Sequence, residues 1–193
     1  MRIKERLTAA AIAAMAVAVV GAGQTAVASA DDVTIGEYTV GGRILDAYKA
    51  TGGQEKWGAP TSNELPAADF GRFQTFEKDT AFYWKASVSG GVAHQIGGAI
   101  RVKWGSKNFE RGALKWPTTD ELDAAGKGRK QFFQGGNIYY GASTGTHIVW
   151  GEILNKYAAR GGPASTLGLP TGDEYRVGNR FGQNFQGGQV FWP

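Results

Sequence analysis

The sequence predicts an α+β fold, three tandem units of one helix plus β-hairpin packed in a propeller-like or short closed array. Three observations predict it. A corner motif recurs as Trp57-Gly58-Ala59-Pro60-Thr61-Ser62-Asn63-Glu64, Leu114-Lys115-Trp116-Pro117-Thr118-Thr119-Asp120-Glu121 and Leu167-Gly168-Leu169-Pro170-Thr171-Gly172-Asp173-Glu174. Each corner is followed by an apolar triplet, Phe82-Tyr83-Trp84, Ile138-Tyr139-Tyr140 and Val190-Phe191-Trp192. The corner prolines stand 57 and 53 residues apart, and a fixed period of this size marks a repeat array.

The chain opens on an export signal. Arg2, Lys4 and Arg6 form a basic start, Leu7 to Val20 an apolar run, and Ala28-Ser29-Ala30 a small-residue cleavage site. The run is too short to cross a bilayer as a stable helix, so the mature chain is expected outside the cell, secreted or wall-associated, and free of the membrane. Residues 1–30 are thus read as signal peptide and residues 31–193 as one repeat domain, with units over about 39–94, 95–147 and 148–193.

Within a unit the first element is a short amphipathic helix. Ile44, Leu45 and Tyr48 share one face, as do Ile153, Leu154 and Tyr157. Gly52-Gly53 and Gly161-Gly162 stop it by taking the left-handed conformation, and Asn108 stands at the same place in the second unit. The Pro-Thr corner is rigid because proline fixes φ and an Asx side chain bonds backbone nearby. A strand pair follows, over Arg72 to Phe76 and Ala81 to Trp84 in the first unit, closed by Gln-Gly-Gly turns in the other two. On the second strand Trp84, Tyr140 and Trp192 face one way and Tyr83, Tyr139 and Phe191 the other. Such a strand is either covered on both faces or keeps one face as an aromatic binding platform. The segment before each helix also repeats, with Tyr38, His94 and His147 in register. The N-terminal segment is therefore expected to complete the last unit and close the array.

Composition narrows the function. Without the signal, 18 basic and 16 acidic residues remain, scattered along the chain, which excludes the basic footprint of a nucleic-acid binder. There is no cysteine, so neither disulfides nor thiolate metal sites hold the domain, and no cofactor is expected.

The combined pattern of helix, Gly-Gly, Leu-Gly-x-Pro-Thr-x-Asp-Glu and Phe-x-Gly-Gly-x-Ile-Tyr-Trp resembles the LGFP-repeat family of exported actinobacterial proteins, over essentially everything after about Thr39. The resemblance implies a non-catalytic module associated with the cell wall, with envelope polysaccharide or peptidoglycan as partner. A scaffold for, or inhibitor of, another exported protein is the alternative, and a small wall hydrolase a third reading. The family also occurs fused to envelope enzymes, but no enzymatic domain is expected beside these repeats, so no such activity is carried over. No copy reads Leu-Gly-Phe-Pro in full, and Lys115 stands in the glycine place of the second.

Aromatic faces stack on sugar rings, so Trp84, Tyr140, Trp192, Tyr83 and Tyr139 are candidate ligand contacts, with their core role as the competing reading. His94 and His147 are candidates as well, against a structural role at the unit junctions; lying in separate units, they make no zinc site. Glu64, Glu121 and Glu174 recur as corner caps or weak Ca²⁺ ligands. Gly141-Ala142-Ser143-Thr144-Gly145 matches a nucleophile elbow formally, but no helix follows it and no histidine lies far enough downstream, so no catalytic residue is expected.

Overall fold

The computed structural model describes residues 32–193, so the signal peptide expected at residues 1–30 lies outside the described residues. The fold is mixed α and β. In chain order it runs β1 (Val33–Ile35), β2 (Tyr38–Val40), α1 (Gly42–Ala50), α2 (Gly53–Trp57), β3 (Leu65–Pro66), β4 (Arg72–Phe76), β5 (Thr80–Trp84), β6 (His94–Gly97) and α3 (Gly98–Gly105). It continues with β7 (Leu122–Asp123), β8 (Arg129–Phe133), β9 (Gly136–Gly141), β10 (Gly145–Val149), α4 (Gly151–Ala159), β11 (Tyr175–Val177), β12 (Arg180–Phe185) and β13 (Gly188–Trp192).

Every strand pair is antiparallel, and the sheets repeat. Units one and two form four-stranded sheets, β3-β4-β5-β6 and β7-β8-β9-β10, whereas the third has three strands, β11-β12-β13. Thus β6 and β10, which lead into the helix of the following unit, each complete the sheet of the preceding one. The expected closure is not made by strand pairing. Among the described residues β2 pairs with β1 and no strand lies on the outer edge of β13.

Two side-chain bonds recur and set each unit's geometry. The helix aromatic reaches the corner: Tyr48 Oη donates to Gly58 O at 2.7 Å, Trp104 Nε1 to Lys115 O at 3.0 Å and Tyr157 Oη to Gly168 O at 2.5 Å. A fully buried glutamine on the first hairpin strand then ties the corner to the junction strand. Gln131 Nε2 donates to Gln95 O and Thr119 O at 2.7 and 2.8 Å, and Gln74 and Gln183 make the equivalent pairs to Thr39 O and Ser62 O, and to Ile148 O and Gly172 O. Proline pairs with the hairpin phenylalanine in every unit, Pro60 with Phe76, Pro117 with Phe133 and Pro170 with Phe185.

In units two and three the corner's Asp side chain does not cap its own backbone, as the sequence suggested, but reaches across the junction. Asp120 Oδ1 accepts from Gln95 N–H at 2.9 Å and Asp173 Oδ1 from Ile148 N–H at 3.1 Å. The corner glutamates of units one and two pair with arginine instead, Glu64 with Arg72 at 3.4 Å and Glu121 with Arg129 at 2.7 Å. Among the described residues no cluster of three or more His, Asp and Glu could hold a metal ion.

Candidate ligand-binding site

The second strand of each hairpin carries buried side chains on both faces in units one and two, which decides between the two readings for Tyr83 and Tyr139. Phe82 packs on Tyr48, Trp57 and Phe76 of its own unit, while Tyr83, on the opposite face, stacks on Phe73 and meets the edge of Trp104 in the next. Tyr139 likewise meets Tyr157 of the third unit at 5.5 Å. Tyr83 and Tyr139 are 5% and 4% exposed, so they are core residues and offer no face to a sugar, contrary to the expectation from sequence. Burial pushes the Tyr83 phenol up to about 12, helped by the charge of Glu110 and opposed by Arg101, so it stays protonated at any ordinary pH.

The two histidines are junction residues, bonded through opposite nitrogens. His94 Nδ1 lies 3.3 Å from Asp120 Oδ1, which only accepts, so this nitrogen carries the proton. His147 instead donates from Nε2 to Thr144 O at 2.7 Å, and its Nδ1 stands 3.4 Å from Asp173 without hydrogen-bond geometry. The carbonyl used by His147 comes from the turn Gly141 to Gly145, which joins β9 to β10. Ser143 therefore sits in a hairpin turn followed by a strand.

Burial pushes the carboxyls of Asp120 and Asp173 up, yet their hydrogen bonds outweigh it and hold both below the usual 3.8. His94 and Gln95 N–H do this for Asp120, Lys103 and Ile148 N–H for Asp173. A carboxyl depressed in the folded state stabilises above its unfolded value and loses that contribution as pH falls through the folded one. Acid unfolding is accordingly expected to begin below about pH 4, and Asp120→Asn should flatten the pH dependence of the melting temperature there. An unchanged slope would place the acid-sensitive groups elsewhere.

The remaining aromatics divide. Trp84 is half-buried, with Nε1 donating to Gly91 O at 2.8 Å. Trp192 is 40% exposed and stacks on Phe181, with ring centroids 6.3 Å apart. Tyr140 lines a cleft of about 350 Å³ between the first and second units together with Trp57, which sequence reasoning did not single out. Trp57 is held edge-on against Phe82, with its Nε1 bonded to Thr51 Oγ1 at 2.9 Å, and Lys56 Nζ lies 4.3 Å over its ring. Lys78, Thr80, Glu121 and Arg129 add donors and acceptors around these two rings. The one signal that could have found Trp57 was its departure from Leu114 and Leu167 at the same repeat position. Of Trp84, Tyr140 and Trp192 only Tyr140 lines this cleft, and the three sit on strands of different units.

A family model described as LGFP repeat matches residues 58–112 and 114–165. The chain belongs to the LGFP-repeat family. The matched segments run from a corner through its sheet to the following helix, so this LGFP unit is offset from the helix-first division read from sequence, and it coincides with the way β6 and β10 complete the preceding sheet. No model match covers residues 166–193, although the corner, the glutamine bonds and the hairpin recur there. No curated protein matches the chain.

Proposed function

We propose that this LGFP-repeat chain is a secreted, non-catalytic module of the cell envelope that binds wall polysaccharide or peptidoglycan in the cleft between Trp57 and Tyr140. The observation that carries the reading is the cleft's make-up. Two half-buried aromatics face it, and a lysine, an arginine, a glutamate and a threonine surround them, which supplies apolar faces for sugar rings and both donors and acceptors for hydroxyls. No cofactor enters this reading. The propeller-like array belongs to the same proposal and is supported by the handing of β6 and β10 from one unit to the next.

The test is co-sedimentation of residues 31–193 with isolated cell walls, before and after the walls are stripped of protein. Retention on stripped walls is expected, with Trp57→Ala and Tyr140→Ala each weakening it about tenfold, the loss of roughly 1.4 kcal/mol of ring contact. Trp192→Ala, outside the cleft's lining, should leave it unchanged. Full retention by both cleft variants would remove the cleft from the proposal. A second reading, docking of another exported protein, rests on the edge of β13, which pairs with no further strand among the described residues, and on the exposed Trp192, and loss of sedimentation on stripping would favour it.

A further inference from the structure

A second cleft, of about 480 Å³, opens on the first and second units through Asp69, Lys85, Glu110, Lys115, Trp116 and Gln134. Its cations outnumber its carboxylates, because Arg111 also lines it. Both carboxylates are engaged: Asp69 pairs with Lys85 at 3.1 Å, and Glu110 accepts from Ala68 N–H at 3.0 Å and lies 3.7 Å from Arg111. Among the described residues Lys115 is the cleft cation whose ammonium pairs with no carboxylate.

Lys115 occupies a place where lysine is disfavoured. The first and third units put glycine there, Gly58 with φ 78° and Gly168 with φ 66°, and Lys115 adopts the same left-handed backbone at φ 56°. A side chain in that region is strained, and such strain gathers at functional sites. The same cleft holds further donors. Lys85 Nζ sits 5.6 Å over the Trp116 ring, whose own indole N–H is closed off from the cleft and unpartnered, so that it reports on the cleft rather than donating into it. Gln134 uses its Oε1 to accept from Trp116 N–H, at 3.4 Å, which leaves its amide hydrogens free to donate. At the corresponding place between units two and three the cation is already satisfied, since Lys127 Nζ donates to Pro163 O at 2.9 Å.

We infer that this cleft is an oxyanion subsite, taking a carboxylate or phosphate group against Lys115, with Lys85 and Gln134 as supporting donors. It shares no lining residue with the Trp57–Tyr140 cleft and stands or falls independently of it. The unit that departs from its siblings by carrying lysine at the left-handed corner position is the unit whose cleft carries the spare charge.

The probes are inorganic phosphate and glucuronate, each titrated at constant ionic strength into residues 31–193 while the tryptophan indole N–H resonances are followed, with Trp116 assigned through Trp116→Phe. A saturable shift of the Trp116 resonance is expected with at least one probe; phosphate alone or glucuronate alone would identify the oxyanion, and a response to both would make the subsite general. Lys115→Gly should abolish the shift, leave the other indole resonances in place, and melt no lower than the parent because it removes backbone strain. An equal shift in Lys115→Gly, or none with either probe in the parent, would overturn the inference. A sedimentation defect in Trp57→Ala with the titration intact would separate the two clefts.

Discussion

Trp104→Ala is expected to lower the free energy of unfolding by about 3–5 kcal/mol, the range for truncating a fully packed aromatic. The indole is 0% exposed and sits where two units meet: edge-on to Tyr83 of the first at 4.7 Å, tilted against Phe133 of its own at 5.5 Å, and bonded through Nε1 to Lys115 O. Truncation opens a cavity in the cluster shared by both units and strips the corner carbonyl of its donor. A domain of this size is stable by only about 5–15 kcal/mol, so the variant should lie close to the folding threshold. Urea unfolding followed by tryptophan fluorescence and by circular dichroism measures the loss. Val102, on the same helix but 69% exposed, provides the control, and Val102→Ala should change stability by less than about 0.5 kcal/mol. A loss from Trp104→Ala no larger than the control's would mean that the helix is not the shared wall between units.

Much of this architecture was legible because repetition magnifies local signals. The hairpin bounds, the helix faces and the left-handed stop at Asn108, whose φ is 69°, follow from patterns that each unit states again. The two-sided cover of β5 and β9 was legible only as one of two possibilities, since an apolar triplet has the same spelling whether its outer face meets solvent or the next unit. Tyr83 and Tyr139 went astray for that reason, while Trp192, in the unit without a following helix among the described residues, is the exposed member of the series. The Trp57–Tyr140 cleft joins residues 83 positions apart in different units, and a comparison made unit by unit does not see it. Gln74, Gln131 and Gln183 recur in register, but a glutamine between apolar residues on a strand reads as a solvent-facing position. Its burial is visible only once the carbonyls of corner and junction strand converge on it.

Gln131→Glu is expected to destabilise the domain by about 3–5 kcal/mol at neutral pH, the range for a buried charge left without a partner. Gln131 is fully buried, and its amide nitrogen spends both hydrogens, on Gln95 O and on Thr119 O, while its Oε1 has no partner. An ionised carboxylate only accepts, so the variant would set two carboxylate oxygens among carbonyl oxygens with no donor between them. Burial and this acceptor environment raise the folded-state pKa of the new carboxyl above its unfolded value of about 4.3. The penalty is then present above the folded pKa and fades as pH falls through it, because the protonated acid regains one hydrogen to donate. Gln131→Leu separates charge from hydrogen bonding. It orphans the same two carbonyls at about 1–3 kcal/mol each but also removes the unmet Oε1, so its net cost should be smaller and independent of pH between 5 and 8. Stability measured relative to the parent protein across that range distinguishes the cases, since the parent's own acid sensitivity through Asp120 and Asp173 cancels in the difference. A flat profile for Gln131→Glu, equal to that of Gln131→Leu, would mean that the junction opens to water and that the glutamine does not clamp corner to strand.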